Sequence, residues 1–131
     1  MTILEFTAMV KKYAGQLHID ESFLSRGIHD GFSGGEKKKI EMLTALVLVP
    51  KFAIFDEIDT GLDVDALKIV AKGIEALVKK GTGVIIITHY RRILKYVKPD
   101  VVHVLVKGKI VKTGSAALAR VIEEKGYADF R

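Results

Sequence analysis

Cysteine is absent from this chain of 131 residues, which removes disulfides, thiolate zinc sites and cysteine nucleophiles together. Long apolar runs are absent too. None approaches the ~18 residues that a membrane-crossing helix needs, so direct membrane insertion is not expected. The first ten residues carry Glu5 and no basic cluster, which argues against a secretory signal. Proline occurs only at Pro50 and Pro99, and there are no Pro/Ser linkers, low-complexity tracts or internal repeats. The expectation is one folded unit in the cytoplasm. An apolar content of 49% excludes disorder, and a chain of this length buries roughly two thirds of its unfolded surface.

Charge excludes little. The net charge is +5, and the whole excess falls in residues 51–131, fifteen basic against ten acidic. Those basic residues are scattered, without the single stripe and stacking aromatics of a nucleic-acid module. Lys37-Lys38-Lys39 is the one run, and it reads as the solvated outer face of a helix. No nucleic-acid partner is expected.

Periodicity organises the rest. Ile3, Leu4, Phe6, Val10, Tyr13, Ala14 and Leu17 recur at helical spacing over residues 2–17. A short helix follows near Ser22–Leu24, then a loop with Gly27 and Gly31. Residues 36–47 repeat the helical pattern with Ile40, Leu43 and Val47 inward, and Pro50 ends it. Phe52-Ala53-Ile54-Phe55 is a continuous apolar run, as in a strand buried on both faces, and Val84-Ile85-Ile86-Ile87 is a second. A helix between them, about residues 65–80, places Leu67, Val70, Ile74 and Leu77 on one face. A short helix is expected over 91–97. Residues 101–106 and 109–111 read as a hairpin turning at Lys107-Gly108, and Ser115 caps a last helix ending near Gly126. Strand–helix–strand alternation of this kind predicts an α/β fold with a mostly parallel sheet, whose chemistry sits at the carboxyl ends of the strands.

Three groups of residues fall where chemistry is expected. Asp56-Glu57 ends the first strand. A carboxylate there can hold Mg²⁺ through water beside a phosphate, and a second can activate an attacking water; both are equally readable as solvent-exposed strand-end residues. His89 ends the second strand, where an imidazole can contact a phosphate or hold a carboxylate, or simply occupy a loop. Ser33-Gly34-Gly35 opens a helix. Free N–H groups, a hydroxyl and two glycines suit a closely approaching anion, and they equally suit an ordinary N-cap and turn.

Taken together, Phe32-Ser33-Gly34-Gly35-Glu36, Phe52-Ala53-Ile54-Phe55-Asp56-Glu57, Gly61-Leu62-Asp63 and Ile87-Thr88-His89 resemble, in order, the signature motif, Walker B strand, D-loop and H-loop of ABC-type ATPases. The resemblance implies a partial P-loop NTPase fold. In it, residues 1–48 form the end of a helical subdomain and 49–131 the C-terminal part of the nucleotide-binding core. Glu36-Lys37-Lys38-Lys39, Asp59-Thr60-Gly61-Leu62-Asp63, Thr88-His89-Tyr90, Lys98-Pro99-Asp100, His103 and Glu124-Lys125-Gly126-Tyr127 look like the SufC subfamily. That subfamily is the ATPase of an iron–sulfur cluster assembly system and works with the SufB and SufD scaffolds.

The resemblance also implies roles. Two cassettes close head to tail around ATP and Mg²⁺. Asp56 would hold the metal, Glu57 would be the general base, and His89 would touch the γ-phosphate and Glu57. Ser33, Gly34, Gly35 and Glu36 would face the nucleotide of the opposite subunit, and Asp63 would couple the two sites. One departure matters: no Gly-x-x-x-x-Gly-Lys-Ser/Thr loop occurs in the chain. The Walker A strand would lie upstream of Met1, and its absence would leave free edges on the strands at 84–88 and 101–106. The chain alone is expected not to hydrolyse ATP. Two other readings stay open: the ATPase subunit of a membrane transporter, and a non-catalytic half-cassette that binds or regulates.

Overall fold

The computed structural model describes residues 1–25, 31–89 and 91–126. Gly27, Tyr90 and Tyr127, named above, lie outside the described residues. The chain divides into two compact units, residues 1–90 and 91–131.

The first unit holds α1 (Ile3–Gln16), a 3₁₀ turn at Glu21–Ser25, α2 (Gly34–Leu48), β1 (Phe52–Asp56), α3 (Val64–Lys79) and β2 (Gly83–Ile87). Each helix begins on a polar cap. Thr2 with Glu5, and Ser33 with Glu36, form capping boxes, and the Asp63 carboxylate accepts from the Ala66 N–H. The Ser33 box explains why α2 begins at Gly34, two residues before the apolar period does.

α3 is the centre of this unit. Leu67, Val70, Ala71, Ile74 and Leu77 are buried along one face, and burying each of the larger ones contributes about 1.5–3 kcal/mol. α3 packs on α2 and on β2. Its Gly73 lets α2 come close: a Cβ there would stand 2.6 Å from Met42 Cγ. The α2 stripe is set by that contact. Met42, Leu43 and Leu46 are buried, whereas Ile40 and Val47 of the expected stripe are half-buried.

β1 and β2 form a parallel two-stranded sheet in register Phe52↔Gly83 to Asp56↔Ile87. Gly83 donates to the Lys51 carbonyl and Thr82 Oγ1 to the Pro50 carbonyl, which fixes that register at its start. The parallel pairing is as expected; burial on both faces is not. Ala53 and Phe55 are buried, but Phe52 and Ile54 are 76% and 65% exposed, and Ile85 and Ile87 stand exposed beside them on the same face. No described element of this unit covers that face. α1 departs from expectation for the same reason: Ala14 and Leu17 are buried, while Ile3, Leu4 and Phe6 are exposed.

The second unit contains a 3₁₀ turn at Arg91–Lys95 (the expected short helix, in tighter form), β3 (Val102–Val106), β4 (Lys109–Gly114) and α4 (Ala116–Lys125). β3 and β4 pair antiparallel around Lys107-Gly108, both at positive φ, as a two-residue hairpin turn of the primed type requires. The register slips by one residue after Val104, leaving Val111 as a bulge. Val104, Leu118 and Ile122 form the small core, and Gly126 ends α4 at φ 71°.

Candidate functional site

The carboxyl ends of β1 and β2 bring the predicted catalytic residues together. Asp56 is the last residue of β1 and its carboxylate is exposed. The chain then turns through Glu57, whose φ of 50° is left-handed and unfavourable for a residue with a Cβ. The Glu57 N–H still reaches across to the Ile87 carbonyl at 2.8 Å, extending the ladder by one bond. This reversal directs the Glu57 side chain toward His89, the second residue after β2. Glu57 Oε1 lies 2.9 Å from His89 Nδ1, with both side chains about half exposed. Geometrically, the pair can take a proton from a water at the strand ends and orient the base that takes it.

Beneath this pair is one that sequence reasoning did not assign a role. Asp59 is fully buried, and its Oδ2 accepts a hydrogen bond of 2.9 Å from Thr88 Oγ1. Asp59 Oδ1 and Thr60 Oγ1 are buried without a hydrogen-bond partner. A signal was available: an acid two residues past Glu57, next to an Ile58 that must be inside.

The second predicted group lies at the start of α2. Ser33 Oγ accepts from the Glu36 N–H and the Glu36 carboxylate accepts from the Ser33 N–H, so both serve as cap. A Cβ on Gly34 would meet nothing within 4 Å, and one on Gly35 only Leu62 Cδ2 at an ordinary 3.5 Å. Neither glycine is at positive φ. Packing among the described residues therefore does not require glycine at either position. The Leu62 contact seats the helix start on the loop that ends at Asp63, whose carboxylate is engaged as the cap of α3.

Two solved structures share the fold of this chain: an ATP-binding subunit of an ABC transporter, with a TM-score of 0.73 at 24% identity over 96% of this chain and 50% of that one, and an ATP-binding cassette of an ABC transporter in its ADP conformation, with a TM-score of 0.69 at 24% identity over 92% of this chain and 47% of that one. This is part of the ABC ATPase fold. Its sequence homologues are ABC-type ATP-binding proteins. They include the "probable ATP-dependent transporter ycf16" of Guillardia theta, 50% identical over 127 residues that make up 97% of this chain and 50% of that protein. A "probable ABC transporter ATP-binding protein" of Streptococcus pyogenes is 48% identical over 128 residues, 98% of this chain and 50% of that protein. The chain thus spans about half the length of the curated relatives it matches. No family model matches it.

Within the partial ABC fold, the donor set can be tested against the cofactors the fold implies. Among the described residues no group of three His, Asp or Glu side chains could hold a metal ion. Mg²⁺ beside phosphates does not need one: a carboxylate or two, water and the phosphate oxygens suffice, and the exposed Asp56 fits that chemistry. The open space over Gly34 likewise fits a closely approaching phosphate. No helix of the described residues is long and apolar enough to cross a membrane.

Proposed function

We propose that the chain is the C-terminal part of an ABC-type ATPase of the Suf iron–sulfur cluster assembly system. One observation carries the catalytic half of this reading: Glu57 and His89 meet at the ends of adjacent parallel strands, beside an exposed Asp56. Glu57 would be the general base for water, His89 would hold Glu57 and contact the transferred phosphate, and Asp56 would hold Mg²⁺. Bound ATP with Mg²⁺ supplies the phosphoryl group and the charge neutralisation. Ser33, Gly34, Gly35 and Glu36 present the start of α2 to the nucleotide of a second ATPase subunit placed head to tail, and Asp63 couples the sites.

The reading includes a polypeptide bearing the P-loop, since no such loop occurs in this sequence, and it expects no ATP hydrolysis by the chain alone. The apolar sheet face of Phe52, Ile54, Ile85 and Ile87 supports this, because parallel strands are ordinarily covered on both faces. So does the groove of about 690 Å³ between α2 and β1, walled by Ile40, Leu48, Ile54 and Asp56. The assignment to the Suf system, with SufB and SufD as partners in the cytoplasm, rests on the motif resemblance, including Glu36-Lys37-Lys38-Lys39 and Lys98-Pro99-Asp100.

The test replaces the matching half of the Streptococcus pyogenes relative with this chain. The hybrid carrying Glu57→Gln should dimerise on adding ATP in analytical ultracentrifugation, and Gly34→Asp should prevent it. A hybrid that stays monomeric with ATP contradicts the head-to-tail role. Copurification with SufB or SufD, absent for a transporter ATPase, decides between the systems.

A further inference from the structure

The turn after β1 and the segment after β2 are joined at three successive points. The Glu57 N–H donates to the Ile87 carbonyl at 2.8 Å, Thr88 Oγ1 donates to Asp59 Oδ2 at 2.9 Å, and His89 Nδ1 lies 2.9 Å from Glu57 Oε1. The side chains alternate, as in extended chain: Thr88 is directed to the buried Asp59, and the next residue, His89, is directed outward to Glu57. The outer contact alone does not fix the geometry. Both of its side chains are half exposed, and exposed side-chain contacts of this kind hold their partners weakly.

The inner contact differs in kind. Asp59 is fully buried, and the Thr88 hydroxyl is the hydrogen-bond donor the structure gives its carboxylate. A buried carboxylate is costly to leave unpaired, so its demand for that hydroxyl is strong. Satisfying it sets the backbone of Thr88, and with it the place from which His89 starts. A Leu at position 59 would fill the same interior without that cost. The acid is therefore unexplained by packing.

We propose that Asp59 and Thr88 are a positioning pair that holds the His89 imidazole against Glu57. Its catalytic consequence rests on the function proposed above, but its structural content does not. The experiment separates the two. In this chain, without nucleotide, the ¹⁵N resonance of His89 Nδ1 is read before and after Glu57→Gln. The resonance should move in the wild-type chain and in Thr88→Ser, which keeps the hydroxyl. It should barely move in Thr88→Val, because His89 has already left Glu57. If Thr88→Val does not fold, Asp59→Leu is read the same way and should show the same loss. An undiminished response in Thr88→Val or Asp59→Leu overturns the proposal. So does loss of the response in Thr88→Ser.

The consequence for turnover is read separately in the hybrid ATPase. Thr88→Val should lower kcat about tenfold, within the range known for small misplacements, with KM for ATP unchanged and recovery in Thr88→Ser. Failure there, with the resonance result intact, counts against the ATPase reading rather than the positioning pair.

Discussion

His89 Nδ1 sits 2.9 Å from Glu57 Oε1, and the two residues are brought together by different strands, 32 positions apart in the chain. The parallel register Asp56↔Ile87 places both strand ends level, and the left-handed Glu57 completes the approach. The contact lies at the half-exposed rim of the sheet, where it adds little to folding. Substitution should therefore separate function from stability. In an ATPase-competent hybrid, His89→Ala should lower kcat by roughly 10²–10⁴-fold, the range of a general-base contribution, while thermal melting of the chain shifts little. Steady-state ATPase kinetics and calorimetry check the two halves.

The backbone of Glu57 gives a second separation. At φ 50° a side chain is disfavoured by about 1–2 kcal/mol relative to glycine, against which glycine loses about 0.5–1 kcal/mol of chain entropy. Glu57→Gly should therefore leave the stability of the chain equal or slightly higher in urea unfolding, while removing the His89 contact. A clear loss of stability would mean that the Glu57 side chain has a structural role.

Glycines of two kinds are distinguishable. Gly73→Ala gains about 1 kcal/mol of helix propensity but drives a Cβ to 2.6 Å from the buried Met42. Overpacking of that sort costs about 1–3 kcal/mol, so the chain should be less stable. Gly34→Ala meets open space and should fold without loss, yet weaken ATP-dependent association of the hybrid. Denaturant titrations of both variants, beside sedimentation of the second, test the contrast.

Asp63 combines a cap with a charge. Asparagine caps as well as aspartate does, whereas alanine costs about 1 kcal/mol. Asp63→Asn should match the wild-type midpoint in urea, and Asp63→Ala should fall below it. Any loss of hybrid turnover in Asp63→Asn then reports the role at the subunit interface and not the cap.

The positions of these residues were readable because local rules and the fold agree. Ser33 and Asp63 are caps by type, Lys107-Gly108 is a hairpin turn by type, and the strand–helix–strand alternation gave the parallel pair and hence the meeting of Asp56, Glu57 and His89. What was not readable depends on neighbours. The sequence at Phe52 and Ile54 is that of a doubly covered strand, but nothing described in this unit covers them. The α2 stripe shifted to Met42 and Leu46 because Gly73 on another helix admits Met42. The Asp59–Thr88 bond joins residues 29 apart whose side chains carry no periodic signal.

The central claim is that this chain supplies the base and metal side of an ABC-type ATPase site completed by a P-loop from outside it. The measurement that bears on it most directly is Mg²⁺-dependent ATP hydrolysis by the hybrid with the Streptococcus pyogenes relative, with and without Glu57→Gln, beside the isolated chain. The account predicts turnover in the hybrid, a loss of at least about 10²-fold with Glu57→Gln, and none in the isolated chain. Turnover by the isolated chain that Glu57→Gln abolishes, or hybrid turnover that Glu57→Gln leaves intact, would contradict it.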